Sequence, residues 1–384
     1  MNEQGEVKTT QKKNKKSLIS NIIFLILLSA LVLTLFLSLG EIQKIGETLS
    51  QIANGNNFLW LLAAFGAIII YFLLWPITLN LFAKAAGSNT SKTDTYLIGC
   101  SEHFYNGVTP FATGGQPFQI YSFTKRGTSA SVGTSAVLAN FVTFMIATNL
   151  IAFVSLFFYP QITNGLDALN MGWAKYVAIV GYTINFLVLL FMIALGASKH
   201  LKNWIIAIIK FITKPKFLNK HFAKLIPSFE AYCENAQIGF RSIWTHKKTF
   251  IFSLLIKIVT MLAYYLVPYF LIRAVGLSAS LSDNEFVNVM IVLFATSFAI
   301  TAVVWVPTPG GTGGIEYAFS IVISSVCLMA VANSGAALAL SLLWRLVTYY
   351  FTLIVSFVFV CIFQARDKKA LQQLEAETQE TLNV

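Results

Sequence analysis

Thr109-Pro110-Phe111-Ala112-Thr113-Gly114-Gly115 and Thr308-Pro309-Gly310-Gly311-Thr312-Gly313-Gly314 are two copies of one pattern, T-P-x-x-T-G-G, set far apart in an otherwise apolar chain. Each copy ends one apolar stretch and begins another. Proline removes an amide donor and blocks helix continuation, and glycine opens backbone angles that other residues avoid. Such breaks are costly at membrane depth, because hydrocarbon offers no water to the freed backbone groups. Interrupted helices at matching places in two halves of a chain are the best sequence pointer to a transport site. The competing reading is two ordinary Gly-rich loops; the shared positions and the lack of a flanking charge run argue against it.

Working outward from the two breaks, 56% of the residues are hydrophobic and only 11% charged. The mean hydropathy is +0.70. Soluble domains are about one quarter charged. A membrane-spanning helix needs about 20 apolar residues to cross roughly 30 Å. Residues 18–39, 58–82, 129–158, 175–195, 250–272, 286–306 and 336–363 meet that requirement, and 315–331 is a shorter candidate. Residues 96–123, which carry the first break, are too polar for a simple span and read as a re-entrant hairpin or two half-helices. The fold class expected is an all-α polytopic membrane protein of about eight transmembrane helices. Re-entrant or broken helices accompany them, in two pseudo-repeated halves.

The net charge of +11 is segregated rather than spread. Lysines crowd residues 1–17 ahead of the first span, residues 198–249 between the halves, and residues 364–384 after the last span. Residues 41–57 and 159–172 are nearly free of them. This is the positive-inside pattern, which puts both termini and the long basic segment in the cytoplasm. The basicity therefore speaks for topology and anionic headgroups rather than for nucleic acid. The first apolar segment is longer than a signal-peptide core and lacks small cleavage residues, so it reads as a retained anchor. Cys100, Cys233, Cys327 and Cys361 have no metal or redox spacing.

The order of elements divides the chain into a first membrane half, 18–197, and a second, 250–363. Each has apolar segments on either side of one T-P-x-x-T-G-G break. Sequence leaves open whether the halves are parallel or inverted. Between them, Leu201, Trp204, Ile205, Ile208, Phe211 and Ile212 recur at intervals of three and four, the pattern of an amphipathic helix lying in a headgroup boundary or simply linking the halves.

Ionisable groups inside a membrane are functional candidates by default, each costing about 2.5–3.5 kcal/mol at a helix centre. Glu102 and His103 precede the first break, Glu316 follows the second, and Arg345 lies within the last span. Lys257 is as deep as Arg345, but its long stem can snorkel to the cytoplasmic surface, a structural role. Arg345, with Thr348, Tyr349 and Tyr350 close by, either binds a lipid phosphate through its guanidinium fork or is stapled to Glu316 or Glu102. The Gly-Gly ends of both breaks open helices whose exposed amides would cradle a phosphate. Glu316 beside the second would repel one, so a zwitterionic or aminoacylated headgroup suits the mixture better. The four histidines lack metal spacing, and no P-loop or nucleophile elbow is present.

The stretch from Asn106 through Thr109-Pro110-Phe111-Ala112-Thr113-Gly114-Gly115-Gln116-Pro117-Phe118-Gln119-Ile120-Tyr121 resembles a motif of the lysylphosphatidylglycerol synthase transmembrane, or flippase-like, family. Pro307 to Glu316 is similar to its second motif, and Trp344-Arg345-Leu346-Val347-Thr348-Tyr349-Tyr350 to the signature of its last helix. The resemblance implies a bacterial plasma-membrane protein that moves lipids between leaflets without an ATPase domain or cofactor. It implies no lysyl transfer, since the aminoacyl transferase domain of the bifunctional members is not in this chain. The headgroup site expected comprises Glu102, Thr109, Thr113, Gly114, Gly115, Gln116, Gln119, Tyr121, Thr308, Thr312, Gly313, Gly314, Glu316, Arg345 and Tyr349. The partners expected are membrane lipids, including anionic or aminoacylated phospholipids, with a homo-oligomer or a lipid-synthesis enzyme as further candidates. Two rival readings are a membrane-embedded transferase built on Glu102-His103 and a scaffold for a lipid-synthesis enzyme. For coupling to protons, Glu102, His103 and Glu316 are the available groups.

Overall fold

The computed structural model describes residues 57–168, 170, 172–212, 225–277, 282–303, 314–327 and 336–382. Residues 18–39 and the second T-P-x-x-T-G-G loop as far as Gly313 lie outside the described residues. Every regular element among those described is a helix. The first half contains α1 (Phe58–Ala85), α2 (Lys92–Gly107), α3 (Gly115–Lys125), α4 (Ala130–Ser155), α5 (Tyr159–Ala168) and α6 (Ala174–Ala197). The basic segment forms α7 (Lys199–Ile212) and α8 (Leu225–Thr245). The second half contains α9 (Lys247–Ala274), α10 (Glu285–Val303), α11 (Gly314–Val326), α12 (Ala336–Arg345), a π turn (Leu346–Tyr350) and α13 (Phe351–Leu382).

Among the described residues, five helices are long and apolar enough to cross a membrane: Phe58–Ala85, Ala130–Phe158, Ala174–Ala197, Lys247–Ala274 and Leu340–Arg366. Glu285–Thr301 and Gly314–Val326 are shorter apolar helices. The eight spans expected from sequence include 18–39, which is not among the described residues. Outward faces carry exposed Ile69, Ile70 and Leu73 on α1 and Val180, Leu187 and Phe191 on α6. That is the reverse of a soluble protein and the surface hydrocarbon requires. Residues 159–168, in the segment nearly free of lysine, wind into α5.

The core is built on α1 and α9, which run antiparallel. Trp60 near the start of α1 packs on Tyr269 and Phe270 near the end of α9, with ring centroids 6.1 and 6.2 Å apart. Tyr71 meets Tyr264 at 5.0 Å. Further along, Trp75 meets Lys257, whose Nζ stands 3.6 Å from the ring centroid. Each of the two helices has 28 residues and an internal proline, Pro76 or Pro268. Gly99 of α2 lets that helix lie on Pro76, since a Cβ there would come within 2.5 Å of the Pro76 Cβ.

Helices α2 and α3 form a hairpin whose open end is held by ion pairs. Asp94 accepts a hydrogen bond from Arg366 Nε at 2.9 Å and has Arg126 at 3.8 Å. Ser91 caps α2 by accepting the Asp94 amide, and Ser129 caps α4 by accepting the Val132 amide. The end of α2 packs inside the molecule, where the Tyr349 hydroxyl donates to the Gly107 carbonyl at 3.0 Å, while Pro110–Thr113 at the tip are exposed. By contrast α10 starts at the other end of the molecule, where Glu285 accepts from the Tyr269 hydroxyl at 2.6 Å and pairs with Arg273 at 3.6 Å. Thus α2 and α10, each following a proline-containing long helix, start from opposite ends of the molecule. Opposite starts are what an inverted pair of halves requires.

Candidate functional site

The first break is a tight, internally bonded loop. Thr109 Oγ1 accepts the Gly114 amide at 2.8 Å and donates to the Tyr105 carbonyl at 2.7 Å. Asn106 Oδ1 accepts the Gly115 amide at 2.8 Å. Thr113 donates back to the Pro110 carbonyl at 3.0 Å. These side chains supply what water would supply elsewhere, which is how a helix break survives at membrane depth. Phe111 and Ala112 take φ of 56° and 52°, in the left-handed region. That region costs an L residue roughly 1–2 kcal/mol. The corresponding positions of the second copy are Gly310 and Gly311.

This geometry corrects one expectation. The amides of Gly114 and Gly115 do not stand ready for a phosphate; the loop's own threonine and asparagine occupy them. The glycines serve close packing instead. A Cβ on Gly115 would lie 2.5 Å from Glu102 Cγ and 2.6 Å from Asn106 Oδ1. A Cβ on Gly114 would lie 2.7 Å from the Tyr105 carbonyl oxygen.

Glu102 is the centre of the first hairpin and only 6% exposed. Its Oε2 accepts the Trp75 indole N–H at 2.7 Å and the Gln119 amide at 2.9 Å. Its Oε1 has a single weaker contact, Asn106 Nδ2 at 3.5 Å. Asn106 therefore joins the carboxylate to the Gly115 amide. Three helices meet at this group: α1 through Trp75, α3 through Gln119, and α2 itself.

Lys257 belongs to the same cluster, against the expectation that it snorkels. Its side chain is wholly buried, at 0% exposure, because it folds over the Trp75 ring instead of reaching for the surface. Nζ donates to the Trp75 carbonyl at 3.3 Å. Trp75 thus stands between two opposite charges, giving its N–H to Glu102 and its π face to Lys257, the cation that acts electrostatically on the carboxylate. The His103 ring is wedged among Tyr71, Phe72 and Trp75 at centroid distances of 5.2, 5.5 and 4.8 Å.

A second charge pair joins α11 to the end of α12. Arg345 Nε donates to Glu316 Oε1 at 2.6 Å, with the two residues 4% and 5% exposed. The guanidinium also lies over the Tyr349 ring, 4.3 Å from its centroid. This ion pair is the contact that the staple role of Arg345 expects. The π turn begins at the next residue, a local widening common at functional sites. An aromatic path joins the two pairs. Trp75 contacts Tyr71 at 5.4 Å, Tyr71 contacts Tyr264 at 5.0 Å, and Tyr264 contacts Trp344 at 6.4 Å. Trp344 in turn stacks on Phe319 at 4.2 Å.

Among the expected site residues, Glu102, Thr109, Gly114, Gly115 and Gln119 come together at the first hairpin. Glu316, Arg345 and Tyr349 come together where α11 meets the end of α12 and the π turn. The Tyr349 hydroxyl on Gly107 connects the groups. Thr113 is exposed, and Tyr121 is 60% exposed, away from Glu102. Gln116 is half-buried, and Gly314 is the first residue of α11. Thr308, Thr312 and Gly313 lie outside the described residues. Sequence reasoning missed Trp75, Asn106 and the central position of Lys257. The available signal was charge: Glu102 and Lys257 are opposite ionisable groups in two apolar segments, each about 12–15 Å in from a basic end at 1.5 Å per residue.

A family described as lysylphosphatidylglycerol synthase TM region matches residues 22–356. A Mycoplasma pneumoniae protein described as "Uncharacterized protein MG306 homolog" is 23% identical over 347 residues, covering 86% of this chain and 83% of that protein. "Uncharacterized protein MG306" of Mycoplasma genitalium is 21% identical over 308 residues, covering 77% of this chain and 75% of that protein.

Proposed function

This chain belongs to the lysylphosphatidylglycerol synthase transmembrane-region family, and from that premise we propose that it is a lipid translocase. In this reading it carries a phospholipid, aminoacylated phospholipid or other lipid-linked headgroup across the bacterial plasma membrane, while the acyl chains stay in the bilayer. The family supports a membrane-lipid role. Two buried carboxylates, Glu102 and Glu316, each set against a cation from another helix on elements that follow antiparallel long helices, carry the step from lipid role to translocation. Transporters of inverted-repeat design place their sites at such broken elements and alternate access by rocking one half against the other. Buried charges at the joint give the two orientations different electrostatics.

The reaction proposed is movement without covalent change. Purified protein reconstituted in liposomes with leaflet-labelled fluorescent phospholipids is expected to expose inner-leaflet label to an impermeant quencher faster than protein-free liposomes do. Recovered lipid should be chemically unaltered. A modified lipid would replace the reading with a transferase, and neither movement nor modification would leave the scaffold.

A further inference from the structure

The Glu102 cluster is built unevenly, and the unevenness has a chemical meaning. Oε2 holds two short donors, Trp75 at 2.7 Å and Gln119 at 2.9 Å. Oε1 holds only the 3.5 Å contact with Asn106. One oxygen is fixed by hydrogen bonds that persist in either protonation state, while the other has room to take a proton. Over the ring of the same indole, Lys257 has a buried ammonium with three donors, one of which goes to the Trp75 backbone carbonyl. A lysine held at 0% exposure, with the compensating carboxylate on another helix, has its charge balanced only while Glu102 is ionised.

We propose that Glu102 binds and releases one proton per transport cycle, and that Lys257 receives the phosphate of the lipid headgroup while Glu102 is neutral. Proton and phospholipid then cross in the same direction. This rests on the translocase reading. The proton adds to a lone pair of Oε1, turning carboxylate to acid, and leaves as the carboxylate re-forms; no bond to carbon changes. The new O–H opposes the Asn106 amide donor, and Asn106 also holds the Gly115 amide at 2.8 Å. Protonation thereby loosens the hairpin tip at the moment when Lys257 loses its counter-charge and gains affinity for an anion.

The groups that face Glu102 leave this role open. Helix α1 offers Trp75 and Tyr71, α2 offers His103 and Asn106, and α3 offers Gln119. Helix α9 offers Lys257, with Tyr264 and Tyr265 behind Tyr71. Helix α4 reaches the cluster through Phe144 on Trp75. Helix α13 meets α2 through Phe357 on Phe104. The other buried carboxylates among the described residues keep counter-ions of their own, Glu316 with Arg345 at 2.6 Å and Asp94 with Arg366 at 2.9 Å.

The test uses liposomes containing the full chain, fluorescent phosphatidylglycerol and a lumenal pH dye. At equal pH on both sides, lipid movement tests the translocase reading by itself. An acid-outside gradient of one unit is then expected to raise inward movement by up to about tenfold, with acidification of the lumen, and the reversed gradient to slow it. Glu102→Gln keeps an oxygen for Trp75 and Gln119 and imitates the protonated acid, so residual movement should ignore the gradient and the lumen should not acidify. Lys257→Gln is the second variant, and should reduce the preference for phosphatidylglycerol over a fluorescent glycosyl diacylglycerol. Infrared titration of the detergent-solubilised protein should show a carboxyl band that Glu102→Gln removes. Lipid movement indifferent to the gradient and free of proton flux would overturn the proposal and leave translocation standing. No movement at equal pH would overturn translocation, and the infrared band would then decide separately whether Glu102 titrates.

Discussion

Glu316 and Arg345 stand 2.6 Å apart with both side chains almost fully buried, and burial sets the cost of changing either. Removing one member leaves an uncompensated charge in a low-dielectric interior, a loss of about 3–5 kcal/mol. Arg345→Gln and Glu316→Gln are each expected to lower the thermal midpoint of the purified protein substantially. Arg345→Lys keeps the charge but loses the planar fork and its stacking on Tyr349, so it should fall between them and the parent. The pair Arg345→Met with Glu316→Leu removes both charges at once and should recover much of the loss. If Arg345→Gln is as stable as the parent, the pair does not hold the second hairpin. At the same scale, Ala112 with φ of 52° is strained where the second copy has glycine. Ala112→Gly is therefore expected to be neutral or to stabilise, by up to about 1 kcal/mol, in the same melting assay.

Within the first hairpin, two glycines make distinct predictions because different atoms crowd them. A methyl at Gly99 would press on Pro76, where backbone Cα lies 2.9 Å and Cβ 2.5 Å from the added carbon. Neither can rotate away, so Gly99→Ala should separate α1 from α2 and cost about 1–3 kcal/mol in stability. A methyl at Gly115 would meet Glu102 and Asn106 side chains, which can move. Gly115→Ala should insert and fold, while lipid movement in liposomes falls more than the melting midpoint does. Equal losses in both measurements would assign Gly115 to packing alone. Much of this element was legible in sequence, since proline and paired glycines mark a break and the flanking polarity of 96–123 excludes a simple span. The reason for the glycines was not. Their neighbours come from α2, and a one-dimensional pattern does not show that Asn106 and Thr109 take the amides a ligand would otherwise claim. Lys257 was misread for a related reason. Hydropathy measures depth, and the snorkelling argument assumes open lipid beside the stem, whereas Trp75 from the other half occupies that place.

Across the whole molecule, the inverted halves turn charge segregation into a prediction about sidedness. The α2–α3 hairpin opens where Asp94, Arg126 and Arg366 gather, and α10 opens where Arg273 and Glu285 pair at the far end. The antiparallel contacts of α1 with α9 fix these as opposite ends whatever the membrane orientation. The spans were readable from composition, but the inversion was not, because it depends on which long helices pack together across the two halves. Under the positive-inside rule the lysines of residues 198–249 predict the Asp94 end in the cytoplasm, which cysteine labelling checks. Cys361 is the exposed native cysteine among the described residues and would be replaced first, since Cys100, Cys233 and Cys327 are buried. In that background, Thr245→Cys is expected to react with an impermeant maleimide only after the cells are opened. Asp283→Cys, at an exposed position next to the α10 start, should react in intact cells. Labelling of both from outside would break the inverted arrangement, because two positions at opposite ends cannot share a face. Labelling of Thr245→Cys alone from outside would keep the inversion and reverse the orientation, and with it the direction in which a proton gradient would drive lipid.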